Sequence, residues 1–158
     1  MLSGAAGLLV ACSSGSVAET DAAEAFADSG WRDLDAADWR ARLSPEAFRV
    51  LREEGTERAF TSPLNAENRE GTYHCAGCDL ALFASNTKYE SGTGWPSFWD
   101  HLPGAIATKP DYKLLIPRTE YHCARCLGHQ GHVFEDGPKP TGLRYCNNGV
   151  ALTFAPKT

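Results

Sequence analysis

The chain has 158 residues, of which 42% are hydrophobic and 22% are charged, and this balance is typical of a globular protein with one domain. Its formal net charge of −5 argues against nucleic acid as a partner, because phosphate binding needs a basic face and Lys and Arg are scattered along the sequence. Six cysteines are the unusual feature: four form two pairs with two-residue gaps, and two stand alone.

The first residues predict an export signal. Residues 1–11 carry no charged side chain, and Leu9-Val10-Ala11-Cys12 resembles a bacterial lipobox, whose cysteine becomes the lipidated first residue of the mature protein. A lipid anchor predicts the periplasmic side of a bacterial cell envelope. A leader normally opens with Lys or Arg, whereas the first basic residue here is Arg32, as if the start codon were assigned too late. The alternative is a disordered, alanine-rich N-terminus on a cytoplasmic protein.

A tether is predicted to follow. Residues 13–37 are rich in Ser, Ala, Asp and Glu, a composition typical of a flexible linker. Trp31 marks a candidate start of ordered structure, and we expect the folded domain over residues 38–156.

A helix is predicted over residues 45–54. Ser44 is a good N-cap, and Gly55 is suited to end the helix. Phe48 and Leu51 lie three positions apart on one face, so we expect them to pack inward. This helix is interpreted as a scaffold without chemistry of its own.

From residue 56 onward, short apolar runs of strand length alternate with turn residues. Gly, Pro, Asn and Asp recur every few positions and separate the runs at 80–83, 112–116 and 151–154. The pattern predicts a mainly antiparallel β domain to which the helical segment is attached.

Two cysteine knuckles predict a metal site. They are Cys75-Ala76-Gly77-Cys78 and Cys123-Ala124-Arg125-Cys126. Zinc prefers four ligands in a tetrahedron, and a two-residue gap lets both sulfurs of a knuckle reach the same ion. Four thiolates leave no open position, so the predicted Zn²⁺ is structural. Two disulfides, which an exported protein can form, and redox-active Cys-x-x-Cys motifs are the alternatives.

The lone Cys146 is a candidate nucleophile. Arg144 and Asn148 are each two residues away, so in a strand all three side chains share one face. A nearby cation stabilises a thiolate and lowers the pKa of the thiol. A buried structural cysteine is the alternative.

Two further segments add chemistry near this thiol. His129 and His132 can exchange a proton near neutral pH. Residues 91–98 form a loop whose Trp95 and Phe98 are candidates for an apolar pocket wall, with core packing as the alternative.

Together, the segments at 91–98, 129–138 and 140–148 resemble the signature of the methionine-R-sulfoxide reductase family, MsrB. The resemblance covers roughly residues 38–156 and includes both knuckles. It implies a mainly β fold of two antiparallel sheets, the β-tent, with a short helical N-terminal segment and a structural zinc ion. It also implies an oxidoreductase that uses thiols to repair oxidised methionine.

The resemblance assigns roles to individual residues. Cys146 is the nucleophile that attacks the sulfoxide sulfur and becomes a sulfenic acid. His129 and His132 bind the sulfoxide oxygen, and one of them protonates it. The other implied roles are thiolate stabilisation by Arg144, substrate orientation by Asn148, ordering of the histidine loop by Asp136, packing on the substrate methyl group by Trp95, and further substrate contacts by Phe98 and Phe134.

Two positions depart from the family pattern. Many members carry a resolving cysteine where this chain has Thr93, and no spare thiol remains if four cysteines bind zinc and Cys12 is lipidated. The sequence therefore predicts a one-cysteine cycle, in which an external thiol reduces the sulfenic acid; resolution by a knuckle cysteine is the alternative. Gly149-Val150 replaces the more usual small polar residue and Ala, which affects fine substrate positioning.

The expected partners are methionine-R-sulfoxide, in oxidised proteins or free, and a thioredoxin-like or other thiol carrier. No nucleic acid is expected, a membrane enters only through an anchor at Cys12, and the chain is expected to be a monomer. One rival function is a zinc-ribbon binding module, which leaves Cys146, His129 and His132 without a purpose. Another is a glutathione-adduct lyase, against which two of the signature segments argue.

Overall fold

The computed structural model describes residues 22–158, so the predicted lipobox at Cys12 lies outside the described residues. Within residues 22–158, no helix is long and apolar enough to cross a bilayer. The principal elements, in chain order, are helices α1 (Ala36–Arg42) and α2 (Pro45–Glu53) and strands β1 (Gly71–Cys75), β2 (Ala81–Ala84), β3 (Lys88–Tyr89), β4 (Ser97–Phe98), β5 (Ile106–Asp111), β6 (Arg118–Cys123), β7 (His129–Phe134), β8 (Arg144–Asn147) and β9 (Leu152–Pro156). Short 3-10 turns lie at Pro63–Ala66, Ser85–Thr87 and Gly149–Ala151.

Two antiparallel sheets form the domain, which confirms the predicted fold class. The smaller sheet has the order β2-β1-β9, and the larger one has the order β3-β4-β8-β7-β6-β5. Strand β8 therefore has a neighbour on each side. Its Cys146 lies opposite His132 of β7 and opposite Ser97 of β4. The register alone thus brings the predicted thiol and one predicted histidine together.

The core between the sheets is aromatic. Phe83 of β2 stacks on Phe98 of β4 with ring centroids 4.2 Å apart, and Tyr73 of β1 meets Phe98 edge-on at 5.0 Å. All three side chains are fully buried. Each such pair joins one sheet to the other and contributes about 0.5–1.5 kcal/mol beyond the area it buries.

Helix α2 confirms the helix predicted over 45–54. The Ser44 hydroxyl accepts the Ala47 N–H at 3.1 Å, and both Phe48 and Leu51 are buried. The left-handed residue that ends the helix is Glu54, with φ 52°, rather than Gly55.

The apolar run at 112–116 was predicted to be a strand, and this prediction is wrong. The run belongs to the connection between β5, which ends at Asp111, and β6, which begins at Arg118. Leu115 is 104% exposed and Ile116 is 76% exposed. A strand prediction from such a run assumes one buried face, and these side chains lie against no core that would hold them in a sheet.

Two residues of the segment predicted as a tether, Trp31 and Arg32, contact the rest of the domain. Trp31 stacks on Trp39 with ring centroids 6.0 Å apart, and the Arg32 guanidinium donates to the Ala124 carbonyl at 2.8 Å. Helix α1 also begins within this stretch. The C-terminal part of the segment 13–37 therefore packs against α1 and against the second knuckle. Composition alone does not reveal these contacts.

Candidate active site and metal centre

The four knuckle cysteines form one buried cluster. Their Sγ atoms all lie within 4.8 Å of one another. Cys75 Sγ is 3.7 Å from Cys126 Sγ, and Cys78 Sγ is 3.5 Å from Cys123 Sγ, so the short contacts cross between knuckles. These separations far exceed the S–S bond length of about 2 Å, and the disulfide alternative does not describe the cluster.

Both knuckles have the same backbone turn. The carbonyl of the first cysteine, Cys75 or Cys123, accepts the N–H of the residue four places on, at 2.8 and 2.9 Å respectively. That residue is left-handed in both turns: Asp79 has φ 63° and Leu127 has φ 58°. The repeated geometry points both sulfurs of each turn toward the shared cluster.

The surroundings of the cluster fit a zinc tetrathiolate. Gln130 Nε2 donates to Cys75 Sγ at 3.4 Å, and Arg125 Nε donates to Cys78 Sγ at 3.4 Å. Such donors stabilise the excess negative charge of four thiolates around Zn²⁺. The metal is therefore one structural zinc ion with four cysteine ligands. Since β1 and β6 belong to different sheets, the ion cross-links the two sheets.

A cavity of about 130 Å³ lies beside Cys146. The predicted residues that line it are Cys146, His132, Asn148, Trp95 and Phe134. These residues come from the loop before β4, from β7 and from the end of β8. Folding thus brings together most of the side chains that the sequence predicted for substrate contact.

Phe98 does not belong to this cavity, so its predicted substrate contact is wrong. Its side chain is fully buried and stacks on Phe83 in the core. Trp95 sits on the loop and faces the cavity, whereas Phe98 is a residue of β4 whose side chain points between the sheets. The core-packing alternative holds for Phe98.

Burial dominates the ionisation of Cys146. It raises the pKa of the thiol above its ordinary value, although the positive charge of Arg144 and a hydrogen bond from the Thr93 hydroxyl act in the opposite direction. The predicted effect of Arg144 is therefore present, but the expected net fall in the thiol pKa is not. Asp136 binds Arg144 through two contacts of 2.8 Å, so it aligns this cation rather than the histidine loop.

The raised pKa of Cys146 sets an expected alkylation profile. Only the thiolate reacts with iodoacetamide, so the rate at Cys146 should keep rising through alkaline pH values at which an unperturbed thiol is already ionised. Arg144→Met removes the compensating cation and should shift the profile to still higher pH. The exposed Arg58→Met is the matched control. Mass spectrometry of the alkylated peptide gives the rate, and a plateau near neutral pH would contradict the burial effect.

Of the two predicted histidines, one lines the cavity and the other is buried. His132 lines the cavity, and its Nε2 lies 2.8 Å from a carboxylate oxygen of Asp111, which also accepts from Arg118 at 2.7 Å. Burial lowers the pKa of His132, while the hydrogen bond to Asp111 opposes that shift. His129 is only 3% exposed, and its Nδ1 lies 2.8 Å from a carboxylate oxygen of Glu120. His132 is thus the histidine placed to meet a ligand.

Sequence reasoning missed Asp111 and Arg118. The backbone N–H of Lys113 and the imidazole of His132 hold the pKa of Asp111 well below its ordinary value, with a smaller contribution from Arg118. The carboxylate is therefore ionised and fixes the His132 ring with Nε2 as the donor. Neither residue lies in a signature segment, and only the pairing of β5, β6 and β7 brings Arg118 to the cavity and Asp111 to His132.

Glu57 is a second residue that sequence reasoning missed. Its backbone N–H donates to Asn148 Oδ1 at 2.9 Å, and its carbonyl accepts the Trp95 indole N–H at 3.1 Å. Its buried carboxylate accepts the N–H groups of Gly149 at 2.7 Å and Val150 at 2.9 Å. One residue therefore holds the cavity wall, the Asn148 amide and the turn after β8 in a fixed arrangement.

Comparisons with known proteins agree on one family. The SelR domain family model matches residues 43–156. A protein of Agrobacterium fabrum is 52% identical over 121 residues, which cover 76% of this chain and 90% of the relative. Relatives in Thiobacillus denitrificans and Pseudomonas putida are 53% and 54% identical, over 77% and 76% of this chain and 92% and 91% of their own lengths. All three relatives are named peptide methionine sulfoxide reductase MsrB.

Proposed function

Since this chain belongs to the peptide methionine sulfoxide reductase family MsrB, we propose that it repairs oxidised methionine with Cys146 as the nucleophile. Methionine-R-sulfoxide is its substrate, and a thiol is its reductant. The observation that carries the residue assignment is the convergence of Cys146, His132 and Trp95 on one cavity. A thiol, a proton donor and an apolar wall are the three components that sulfoxide reduction needs.

The reaction moves one oxygen atom from the substrate to the enzyme. The Cys146 thiolate attacks the sulfoxide sulfur while a proton is delivered to the sulfoxide oxygen. Attack forms a bond between the two sulfur atoms. This bond and the S–O bond of the substrate then break as the oxygen passes, with its proton, to Cys146, so that methionine leaves and Cys146 is oxidised by two electrons to the sulfenic acid. His132 is the proposed acid because it lines the cavity and lies opposite Cys146 in the pairing of β7 with β8. The His129 ring packs edge-on against the His132 ring, with centroids 5.5 Å apart.

The walls of the cavity suit the methyl group and chain of the substrate. Trp95 and Phe134 provide apolar surface, and the Arg144 guanidinium lies 4.4 Å from the Phe134 ring centroid, which fixes that ring. Asn148 helps to orient the substrate. Because its amide also binds main-chain groups of Glu57 and of β7, its position is set before substrate arrives.

An assay with separated R and S epimers tests the function. With dithiothreitol as reductant, the R epimer should be converted to methionine and the S epimer should not. Chromatography of the released methionine measures both rates. Comparable turnover of the two epimers, or none of the R epimer, would contradict the proposal.

We propose that an external thiol reduces the sulfenic acid. Thr93 lies close enough to Cys146 to lower the pKa of its thiol, so the position that often carries a resolving cysteine is beside the nucleophile without offering a thiol. An incoming thiol condenses with the sulfenic acid to give a mixed disulfide and water. A second thiol then releases the external disulfide and restores Cys146.

This cycle predicts a trappable intermediate. After one equivalent of substrate and no reductant, the wild-type enzyme should be labelled at Cys146 by dimedone. Thr93→Cys should lose most of the label, because the new thiol forms a disulfide with Cys146, whereas Thr93→Ser should keep it. Mass spectrometry of the intact protein measures the label. Rapid disulfide formation in the wild type, with release of zinc, would point to a knuckle cysteine instead.

We also propose that Cys12 carries a lipid, that residues 38–156 form the reductase domain, and that the protein acts as a monomer in the cell envelope. The lipobox-like segment is the support for the anchor. Expression in a bacterium fed an alkyne-labelled palmitate should label the wild type but not Cys12→Ser. Unlabelled protein in the cytosolic fraction would favour the cytoplasmic alternative, and sedimentation of the detergent-extracted protein as a dimer would contradict the monomer.

A further inference from the structure

Exposed apolar side chains are grouped on the connection between β5 and β6. We call this group, Tyr112, Leu114, Leu115 and Ile116, the β5–β6 tip; its side chains are 72%, 58%, 104% and 76% exposed. Single exposed apolar residues are ordinary, but contiguous ones mark interaction surfaces. The tip is also the part of the chain whose predicted strand did not form.

The tip is anchored at both ends in the candidate active site. Asp111, just before it, binds His132, and Arg118, just after it, lines the cavity. The two anchors bind each other at 2.7 Å. Each residue of the tip is at most three positions from Asp111 or from Arg118 along the chain. An extended chain covers about 3.5 Å per residue, so each tip residue lies within roughly 10 Å of one of these two anchors. The tip therefore projects from the edge of the cavity that Arg118 lines.

The charged groups near the tip are paired with one another. Lys109 and Lys113 both bind the carboxylate of Glu54, and Arg118 binds Asp111. These pairs neutralise the cations that flank the apolar side chains. The tip therefore suits an uncharged, apolar partner better than an acidic one.

We propose that the β5–β6 tip binds the apolar residues that flank methionine sulfoxide in a polypeptide substrate. The inference rests on the proposed function, because the cavity is taken as the site of the sulfoxide side chain. A cavity of about 130 Å³ holds little more than that side chain, so the neighbouring residues must lie on its rim. Methionine is commonly a core residue, and core segments carry further apolar side chains at strand or helix spacing. Such segments present apolar groups within reach of the tip.

Single-turnover kinetics without reductant tests this inference, because each enzyme molecule then reduces one substrate and the thiol step is absent. Three substrates are compared: N-acetyl-methionine-R-sulfoxide amide, a peptide with the sulfoxide between Leu and Val residues, and a peptide of equal length with Ser and Gly. The wild type should reduce the apolar peptide about tenfold more efficiently than the polar one, as expected for a few buried aliphatic contacts. Leu115→Ser with Ile116→Ser should remove that preference and leave the rate on the amide unchanged. Leu115→Ile with Ile116→Leu, which keeps volume and polarity, should retain it.

Equal rates on the two peptides in the wild type, or a preference that survives the serine double variant, would overturn the inference. The inference would also be overturned if the serine double variant lost only its turnover with a thioredoxin-like reductant, because the tip would then bind the reductant. If the double variant lost only its binding to phosphatidylglycerol vesicles, the tip would bind a membrane. If the wild type reduces none of the three substrates, the proposed function itself is wrong. That result differs from a loss of peptide preference alone.

Discussion

Cys146→Ser is expected to abolish reduction of methionine-R-sulfoxide while leaving the fold and the zinc content unchanged. The reaction deposits the substrate oxygen on sulfur, and a serine hydroxyl is a far weaker acid than a thiol and cannot be oxidised in this way. The loss should therefore be on the order of 10⁴-fold or more, down to the background rate of dithiothreitol alone. Chromatography of the released methionine measures it.

The controls for this variant separate chemistry from structure. Serine is nearly isosteric with cysteine, and Cys146 lies on β8 rather than in the metal cluster. Circular dichroism, the melting temperature and zinc content should match the wild type. Thr93→Ser, which keeps the hydroxyl beside the same sulfur, should retain most of the activity. Turnover that persists in Cys146→Ser would show that another group is the nucleophile, and loss of zinc would show that Cys146 is structural.

Local patterns in the sequence predicted the parts of the molecule that are themselves local. Capping by Ser44 is contained in a few residues, as are the knuckles, and the turn geometry of each knuckle needs only its own residues. Strands β2 and β9 follow from the short apolar runs at 80–83 and 151–154. In each of these cases, the stabilising contacts repeat the pattern that the sequence displays.

The missed residues depend on contacts between distant segments. Glu57 reaches Asn148 and Trp95 from outside all three signature segments, and a lone carboxylate in a turn-rich stretch has no pattern that reveals such partners. Asp111 and Arg118 come together only when β5 pairs with β6. The ionisation of Cys146 was misjudged for a similar reason, since burial is a property of the whole fold.

Apolar residues in the sequence are compatible with more than one structural environment. A run such as 112–116 has strand-like composition, but whether it forms a strand depends on a neighbouring surface that the sequence does not display. Phe98 is the opposite case, because a buried aromatic and a pocket wall have the same composition. Only the register of β4 against β8 decides that Phe98 points into the core.

Cys123→Ser is expected to lose the zinc ion and to unfold most of the domain near room temperature. Structural zinc sites contribute about 10–16 kcal/mol of apparent binding free energy, whereas a domain of this size is stable by about 5–15 kcal/mol in total. Loss of a ligand from a closed four-thiolate shell therefore removes a contribution as large as the net stability. Because β1 and β6 belong to different sheets, their cross-link is lost as well.

The effect should reach the active site before unfolding is complete. Gln130 Nε2 donates to Cys75 Sγ, and its Oε1 accepts from Asn147 Nδ2 at 3.2 Å, so one buried amide joins the metal cluster to the strand that carries Cys146. Partial zinc removal by a chelator should therefore lower activity in proportion to metal content. Zinc content, melting temperature and methionine release are measured on the same samples, with Cys146→Ser as the cysteine variant that keeps its metal. If Cys123→Ser retained stoichiometric zinc and the wild-type melting temperature, the cluster would not be what holds the two sheets together, and their association would have to come from the aromatic core alone.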